Sequence, residues 1–324
     1  MWTFTRRTAL TAALATLAWA AAAQDGYPSR PVTIVVGAAP GGPTDIVARL
    51  LAERMARNMN ATFVVENRGG GGGVIAAQLV AQAQPDGYTL LMGSVSTHGI
   101  NPTLYKKLGY DAIKDFAPIS EVVSYPVVLV VNPTKVPVKN VAEYLDFARK
   151  NPGKLNRASA GNGTSMHLAG ELFESMAGTK TNHVPFKGSA PAVMAMLSGD
   201  GDVDFESIPV ALPHIQSGKL RALGVSSSKR SSVMKDVPTI AETLPGYELN
   251  GWLGLLAPAR TPPAIVERLS REAAKALADP ELRKKLLDQA VEPVGSTPSE
   301  FAIFIRNEIS KLGEVVRASG ATVD

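Results

Sequence analysis

Residues 66–87 read "ENRGGGGGVIAAQLVAQAQPDG", five glycines set between an apolar run that begins at Thr62 and a helical pattern that begins at Val74. A strand that passes through a glycine turn straight into a helix is the first part of a βαβ unit. Working outward, short β-rich runs recur about every 25–30 residues with helical patterns between them, the spacing of a mostly parallel sheet. Before and after the glycine run come "VTIVVGAA" from Val32 and "YTLLMGS" from Tyr88. A second series holds "VVLVVN" from Val127, "LNRASA" from Leu155, "TNHVPF" from Thr181, "DVDFESI" from Asp202 and "RALGVS" from Arg221. Runs apolar at successive positions, such as Val32 to Val36, predict a sheet covered by helices on both faces.

Between the two series "DFAPISEVVSYPVV" is extended, bracketed by Pro118 and Pro126, and after the second comes the polar "SSSKRSSVMKDVPT". Two such crossings predict two α/β lobes, with the carboxyl end returning to the first. Residues 24–124 and 225–324 make one lobe and residues 125–224 the other. In the return segment Thr261 reads as an N-cap with Pro262 at the first helical position. The last helix opens with the capping-box spacing of Thr297 and Glu300, and Phe301, Ile305, Leu312 and Val316 form its core stripe.

The amino terminus reads as an export address. Arg6 and Arg7 precede a short apolar stretch, and Ala21, Ala22 and Ala23 offer a small-residue cleavage site, so residues 1–23 are expected to be a removed signal peptide of the general secretory or twin-arginine kind. The destination is then the periplasm. Of the formal net charge of +4, two charges belong to Arg6 and Arg7, and no basic run is interleaved with aromatics, which argues against nucleic acid as a partner. With no cysteine among 324 residues there is neither a disulfide nor thiolate chemistry.

The glycine run could cradle an anion, since backbone N–H groups and a helix N-terminus point to the carboxyl end of the sheet. It fails as a nucleotide loop in detail. Gly153-Lys154 and Gly218-Lys219 are each followed by leucine, and Val74 and Ile75 stand where a dinucleotide fingerprint needs its third glycine. The plainer alternative is a tight turn that lets the helix pack close to the strand. The same strand-to-helix geometry recurs in "GAAPGGPTDIVARL", with Gly41, Gly42, Thr44 and Asp45, in "MGSVSTHGINP", with Ser94, Ser96, Thr97 and His98, and in "ASAGNGTSMHLAGELF", with Ser159, Gly161, Gly163, Thr164 and His167. Donor-rich loops from both lobes are expected to face one cleft. Since the loops themselves lack arginine, a bound carboxylate would be held by N–H groups, hydroxyls, water and helix dipoles. Each helix end contributes about 0.3–2 kcal/mol, enough in combination for micromolar capture at about −8 kcal/mol.

"YPSRPVTIVV", "PGGPTD", "VVENRGGGGG", "PDGYTLL", "STHGINPTLY", "NPGKLNRASAGNGTSMHLAGELF", "HVPFKG", "SGKLRALGVSSSKR" and "DVPTIAE" follow one another in the order seen in the Bug-type solute receptors of tripartite tricarboxylate transporters. The chain resembles that family over nearly its whole length after the leader. The resemblance implies a two-lobed α/β type II periplasmic binding protein, with mostly parallel sheets, that closes as a monomer on a small organic carboxylate and passes it to the integral-membrane permease. It implies no cofactor, no metal and no catalysis. By resemblance the ligand loops are Ala39, Pro40, Gly41, Gly42, Thr44 and Asp45, then Ser94, Thr97 and His98. Opposite them stand Ser159, Gly161, Gly163, Thr164 and His167, with Lys187, Gly188 and Asp204 nearby. The chain departs from the family at Gly37 and Ala38, where many members carry a proline and a bulky aromatic, and in its glycine run, where a proline and an alanine are usual.

Each of these residues also has a structural reading. His98 and His167 donate to a carboxylate or cap local backbone, and His183 and His214 read as structural. None of the four has metal-ligand spacing. Asp204 accepts from the ligand or caps a neighbouring helix, Lys187 supplies a charge or is solvated, and Thr44 and Asp45 cap their own helix. Two rival functions fit an exported or ligand-binding α/β chain. A serine–histidine hydrolase needs a G-x-S-x-G elbow, which the sequence lacks. A ligand-sensing protein would lack the transport role.

Overall fold

The computed structural model describes residues 26–319. The expected leader at residues 1–23 lies outside them. Strand β1 (Val32–Val36) consists of β-branched residues only and is buried at four of its five positions. It pairs in parallel with β2 (Phe63–Asn67) on one side and β3 (Thr89–Ser94) on the other. The long strand β4 (Phe116–Val131) spends its first part in this sheet and its last five residues, from Val127, in a second one.

The second sheet is built on the same plan. There β5 (Asn156–Ser159) pairs in parallel with β6 (Asn182–Pro185) and β7 (Val203–Ser207), while β8 (Arg221–Val225) runs antiparallel to β4. With β9 (Asn250–Pro258) between β3 and β4, the strand orders are β2-β1-β3-β9-β4 and β6-β5-β7-β4-β8. The leading triplet of each sheet is parallel and the strands at the crossing are antiparallel, so each sheet is mixed.

These pairings fix where the loops go. Strand β3 is antiparallel to β9 and β9 to β4, so the first triplet runs in the direction of β4, toward the crossing. Strand β7 is antiparallel to β4, so the second triplet runs back toward the same crossing. The carboxyl ends of all six parallel strands therefore face one another across it. The second connection leaves β8 and returns as β9, and it is pinned to the first. Val127 N donates to Ser226 Oγ at 2.9 Å, and Ser226 N donates to the Val127 carbonyl at 2.9 Å.

Strand β9 is the element least visible in the sequence, because Gly251 and Gly254 interrupt it. Their reason is packing. A Cβ at Gly254 would lie 2.0 Å from Phe301 Cζ, and one at Gly251 would lie 2.2 Å from Tyr125 Cε2. Aromatic rings from other elements occupy the space that side chains would fill.

Helices α1 (Pro43–Met59), α2 (Val74–Ala81) and α3 (Asn101–Leu104) follow the first three strands, and α4 (Val141–Lys150) follows β4. In the second half α5 (Ser165–Ala177), α6 (Ser189–Ser198) and α7 (Ile208–Gln216) follow β5, β6 and β7. The return segment adds α8 (Pro263–Leu277), α9 (Pro280–Leu287), the short strand β10 (Glu292–Pro293) and α10 (Pro298–Ser319). Helix α8 is capped by Pro262, one residue later than the sequence suggests, and Thr261 is buried ahead of it. The expected capping box of α10 forms, with Glu300 N donating to Thr297 Oγ1 and Thr297 N to Glu300 Oε2.

One face of the first sheet packs Val47, Leu51 and Met55 of α1 and Leu269 of α8 against Ile34, Leu90 and Leu253. The other packs Phe301, Ile305, Leu312 and Val316 of α10, the expected stripe, against Leu91 and Leu256. That cluster continues through Trp252 and Tyr247 to Phe173 and Phe205 of the second half. The Tyr247 hydroxyl donates to the Ala169 carbonyl at 2.9 Å, so α5 is tied to the returning chain.

Glu121 on β4 is 8% exposed, and its carboxyl is pushed up to about 7 by burial and by the neighbouring Glu308. Glu308 accepts from Trp252 Nε1 at 3.0 Å and is itself raised by burial. Because Glu121 holds a proton in the folded state that the unfolded chain releases from about pH 4.5 upward, stability falls as pH rises from about 4.5 to about 7. Glu121→Gln is expected to stabilise the protein by about 1–3 kcal/mol near pH 8 and by little near pH 4. Urea denaturation at both pH values checks this; a gain independent of pH would assign the effect to packing.

Candidate functional site

The first loop follows β1. Ala39, Pro40 and Gly41 are exposed, Gly42 and Thr44 half-buried, and Pro43 begins α1. Asp45, in the first turn, is buried, and Gly41 N donates to its Oδ2 at 2.9 Å. Arg49 Nε donates to the same oxygen at 3.0 Å, and Arg49 Nη2 bridges to Asn67 Oδ1 at 3.1 Å. Burial alone would raise this carboxyl, yet Arg49 and the Gly41 amide hold it below the usual range. Asp45 thus shapes the loop from beneath and neutralises Arg49. Gly41 N is spent on Asp45 and Gly42 N on the Ala39 carbonyl, and the N–H groups of Thr44 and Asp45 in the first helical turn have no intrahelical acceptor.

The glycine run makes the close turn. Gly71–Gly73 form a tight turn ahead of α2, with Gly72 at φ +60° outside the right-handed helical region, and a Cβ on Gly37 would lie 2.8 Å from Gly73 Cα. Glycine after β1 thus lets glycine before α2 approach backbone to backbone. Gly73 has φ +86°, and a Cβ there would lie 2.7 Å from Thr97 Cγ2.

The third loop turns inward. Thr97 is buried; its Oγ1 accepts from Ser94 N at 2.9 Å, donates to the Ser94 carbonyl at 3.1 Å and lies 2.9 Å from His98 Nδ1. His98 is fully buried, edge-on to Phe116 at 4.6 Å, and burial takes its pKa down to about 3. Its side chain is buried in the first half, its Nδ1 meets a side chain and not the backbone, and its Nε2 has no hydrogen-bond partner among the described residues. Asn101 and Leu104, neither of them an expected ligand residue, reach the opposite half. Asn101 Nδ2 donates to the Gly72 carbonyl at 3.1 Å, and a Cβ on Gly163 would lie 3.5 Å from Asn101 Oδ1 and 2.8 Å from Leu104 Cδ2.

In the second half Thr164 caps α5: its Oγ1 accepts from His167 N at 3.2 Å and donates to the Gly161 carbonyl at 2.7 Å. Gly161 and Gly163 have φ +120° and +75°, conformations that favour glycine. Ser159 Oγ accepts from Gly161 N at 3.1 Å and sits 2.7 Å from His183 Nε2. Gly188 N donates to the Ala160 carbonyl at 3.1 Å, which joins the loop of exposed Lys187 to that of Ser159. Asp204 is fully buried on β7.

The Ser159–His183 contact resembles a nucleophile and its base, but His183 is ill suited to that role. Burial, then His167 and Arg157, lower its pKa to about 3, and it stacks on His167 with ring centroids 4.1 Å apart. The fold also gathers what sequence spacing does not, placing ligand atoms of His167, Glu171 and His183 within 4.8 Å of one another. Rings parallel to within 12° cannot both aim an in-plane lone pair at one ion, and Arg157 already grips Glu171. Burial opposes ionisation of Glu171, but His167 and Arg157 hold its carboxyl down to about 2. Arg157 also binds Glu174 at 2.9 Å, so no guanidinium is left over for the cleft from this cluster.

Two α/β lobes joined by paired crossings, with donor loops from both converging between them, define a type II periplasmic binding protein. The chain matches the Tripartite tricarboxylate transporter family receptor over residues 47–321 and belongs to that family. The periplasmic binding protein BugD is 34% identical with a TM-score of 0.83, over 91% of this chain and 99% of that one. An R. palustris protein solved with adipate is 35% identical with a TM-score of 0.86, over 91% and 98%. MatC from Rhodopseudomonas palustris, solved with bound malate, is 36% identical with a TM-score of 0.82, over 90% and 100%. Among the described residues no helix is long and apolar enough to cross a membrane.

The close turn can be tested against its looser counterpart. Gly41 has φ +78° with nothing within 4 Å of an added Cβ, so Gly41→Ala should cost only the left-handed strain, about 1–2 kcal/mol. Gly73→Ala meets Thr97 as well and should cost about 2–4 kcal/mol. Chemical denaturation of both variants measures the difference; equal losses would contradict the close approach.

Proposed function

We propose that the chain is a non-catalytic periplasmic receptor that captures a small organic carboxylate between its lobes and delivers it to the membrane permease of a tripartite tricarboxylate-type transporter. The observation that supports this reading is the direction of the six parallel strands, both triplets of which run toward the crossing; the proposed ligand loops are those of Ala39, Pro40, Gly41, Gly42, Thr44 and Asp45 and of Ser159, Gly161, Gly163 and Thr164. Backbone N–H groups and helix N-termini favour an anion there. The adjacent arginines, Arg49 and Arg157, are bound to carboxylates of the protein itself. The relatives solved with adipate and with malate support the same ligand class.

The lobe boundaries proposed are residues 24–124 with 225–324 and residues 125–224, closing as a monomer by a hinge near Val123 and Val225. The hydrogen bonds between Val127 and Ser226 would keep the two connecting strands moving together.

Calorimetry with a panel that includes adipate, malate and single amino acids tests the proposal. At least one carboxylate is expected to bind with a micromolar Kd, and at 100 times that Kd to stabilise the fold by about 2.7 kcal/mol. The same acid should compact the protein in small-angle scattering. Failure of every acid to bind, or turnover of one of them, would contradict the reading.

A further inference from the structure

We propose that Lys229 and Glu292 form an ion pair behind the hinge when the cleft opens, a latch that stabilises the open, unliganded receptor. The latch rests on the two-lobed closure proposed above and not on the identity of the ligand.

Strand β4 shows two faces at the crossing. From Val123 to Pro126 its residues pair in register with Leu253 to Asn250 of β9, so successive side chains alternate between the faces. Tyr125 shares a hydrogen bond with Ser165, the first residue of α5, and therefore points to the side where the loop of Gly161, Gly163 and Thr164 lies. Ser124 and Pro126 point the other way, as does Asn250, which stands opposite Pro126. These side chains line a cavity of about 300 Å³ whose other walls include Lys229, Ala290 and Glu292. The cavity is thus on the far side of the crossing from the cleft.

Its walls come from different lobes. Glu292 lies in β10 opposite Ser124, and the preceding Val291 is in the core of the first lobe with Leu282 and Leu286. Lys229 belongs to the polar segment after β8. That segment follows the proposed boundary, but it folds back on the second sheet. Met234 packs with Val128 and Val225, and Val225 N donates to the Pro238 carbonyl at 2.9 Å. Lys229 therefore moves with the second lobe and Glu292 with the first.

A rotation about β4 that spreads the loops of the cleft narrows the space on the opposite face, because both faces share one hinge. The two charges suit that movement. Lys229 and Glu292 are exposed and opposite in sign, and neither forms an ion pair among the described residues. The neighbouring Arg230 is already spent, its Nε lying 3.0 Å from Glu242 Oε1 and its Nη2 2.8 Å from Glu242 Oε2. Ser227 Oγ donates to the Lys229 carbonyl at 2.7 Å and fixes the turn that carries the lysine. Closure on a ligand breaks the pair, so the affinity is lowered by the factor that the pair adds to the open population. For an exposed pair that factor is up to about fivefold.

The test is calorimetry with the tightest-binding acid of the panel on wild type, Lys229→Glu, Glu292→Lys and the double variant in which the charges are exchanged. Each single reversal sets like charges against each other in the open form and should tighten binding by about two- to fivefold, while the exchange should return Kd to within about 1.5-fold of wild type. The two reversals change the net charge in opposite directions, so a long-range effect on an anionic ligand would move their affinities apart, and that result would overturn the latch. Unchanged affinity in both reversals, or an exchange that does not restore the wild-type value, would overturn it as well. Carbodiimide coupling, which joins a carboxylate to an amine with loss of water, reads the contact without a ligand. Mass spectrometry should find Lys229 linked to Glu292 in the unliganded wild type and much less of that product with saturating acid. No linkage in the unliganded protein, or a yield that the acid leaves unchanged, contradicts the latch. If no acid binds the wild type, the carboxylate reading fails, and the linkage in the unliganded protein still decides the latch, its presence upholding the contact and its absence overturning it.

Discussion

The whole arrangement depends on one strand serving two sheets. Strand β4 enters the second sheet at Val127 without a break, and because each sheet ends its order with antiparallel partners at that crossing, both parallel triplets are aimed at it. Had β4 paired in parallel with β7, the loops of the second half would face away from those of the first. A single register, Val127 opposite Ser207, thus brings two sets of helix N-termini face to face. The paired hydrogen bonds of Val127 and Ser226 keep the second connection beside the first, so the halves are joined along one narrow seam.

What lines that seam is unusual in its charge. Anion sites commonly rely on a free guanidinium, but here Arg49 is bound to Asp45, and Arg157, 1% exposed, is bound to Glu171 and Glu174. Gly170 is part of that cluster, since a Cβ there would lie 2.3 Å from Arg157 Nη1. The arginines build the loops, and the proposed binding is left to backbone amides. A site made of oriented N–H groups holds charge without paying for a desolvated cation, and its selectivity then rests on shape and on the placement of individual donors.

Much of this was legible in the sequence. A continuous β-branched run marks β1, a continuous apolar run marks the second part of β4, and glycine before a helical pattern marks the loops. The stripe from Phe301 to Val316 marks the face of α10 that packs on the sheet. What was not legible depends on partners distant in the chain. Strand β9 is disguised by glycines that only Tyr125 and Phe301 explain, and Gly37 makes sense only against Gly73. The inward turn of His98 follows from the aromatic pair Phe116 and Tyr110 behind it. The stacking of His167 on His183 needs β5 and β6 to be paired.

The most direct measurement is a crystal structure of the protein grown with the acid that binds it most tightly. One carboxylate should lie about 2.7–3.2 Å from backbone N–H groups of residues 39–45, with residues 159–165 of the opposite lobe closing on the same molecule. An acid lodged outside the space between these loops, or recovered there chemically altered, would contradict the account.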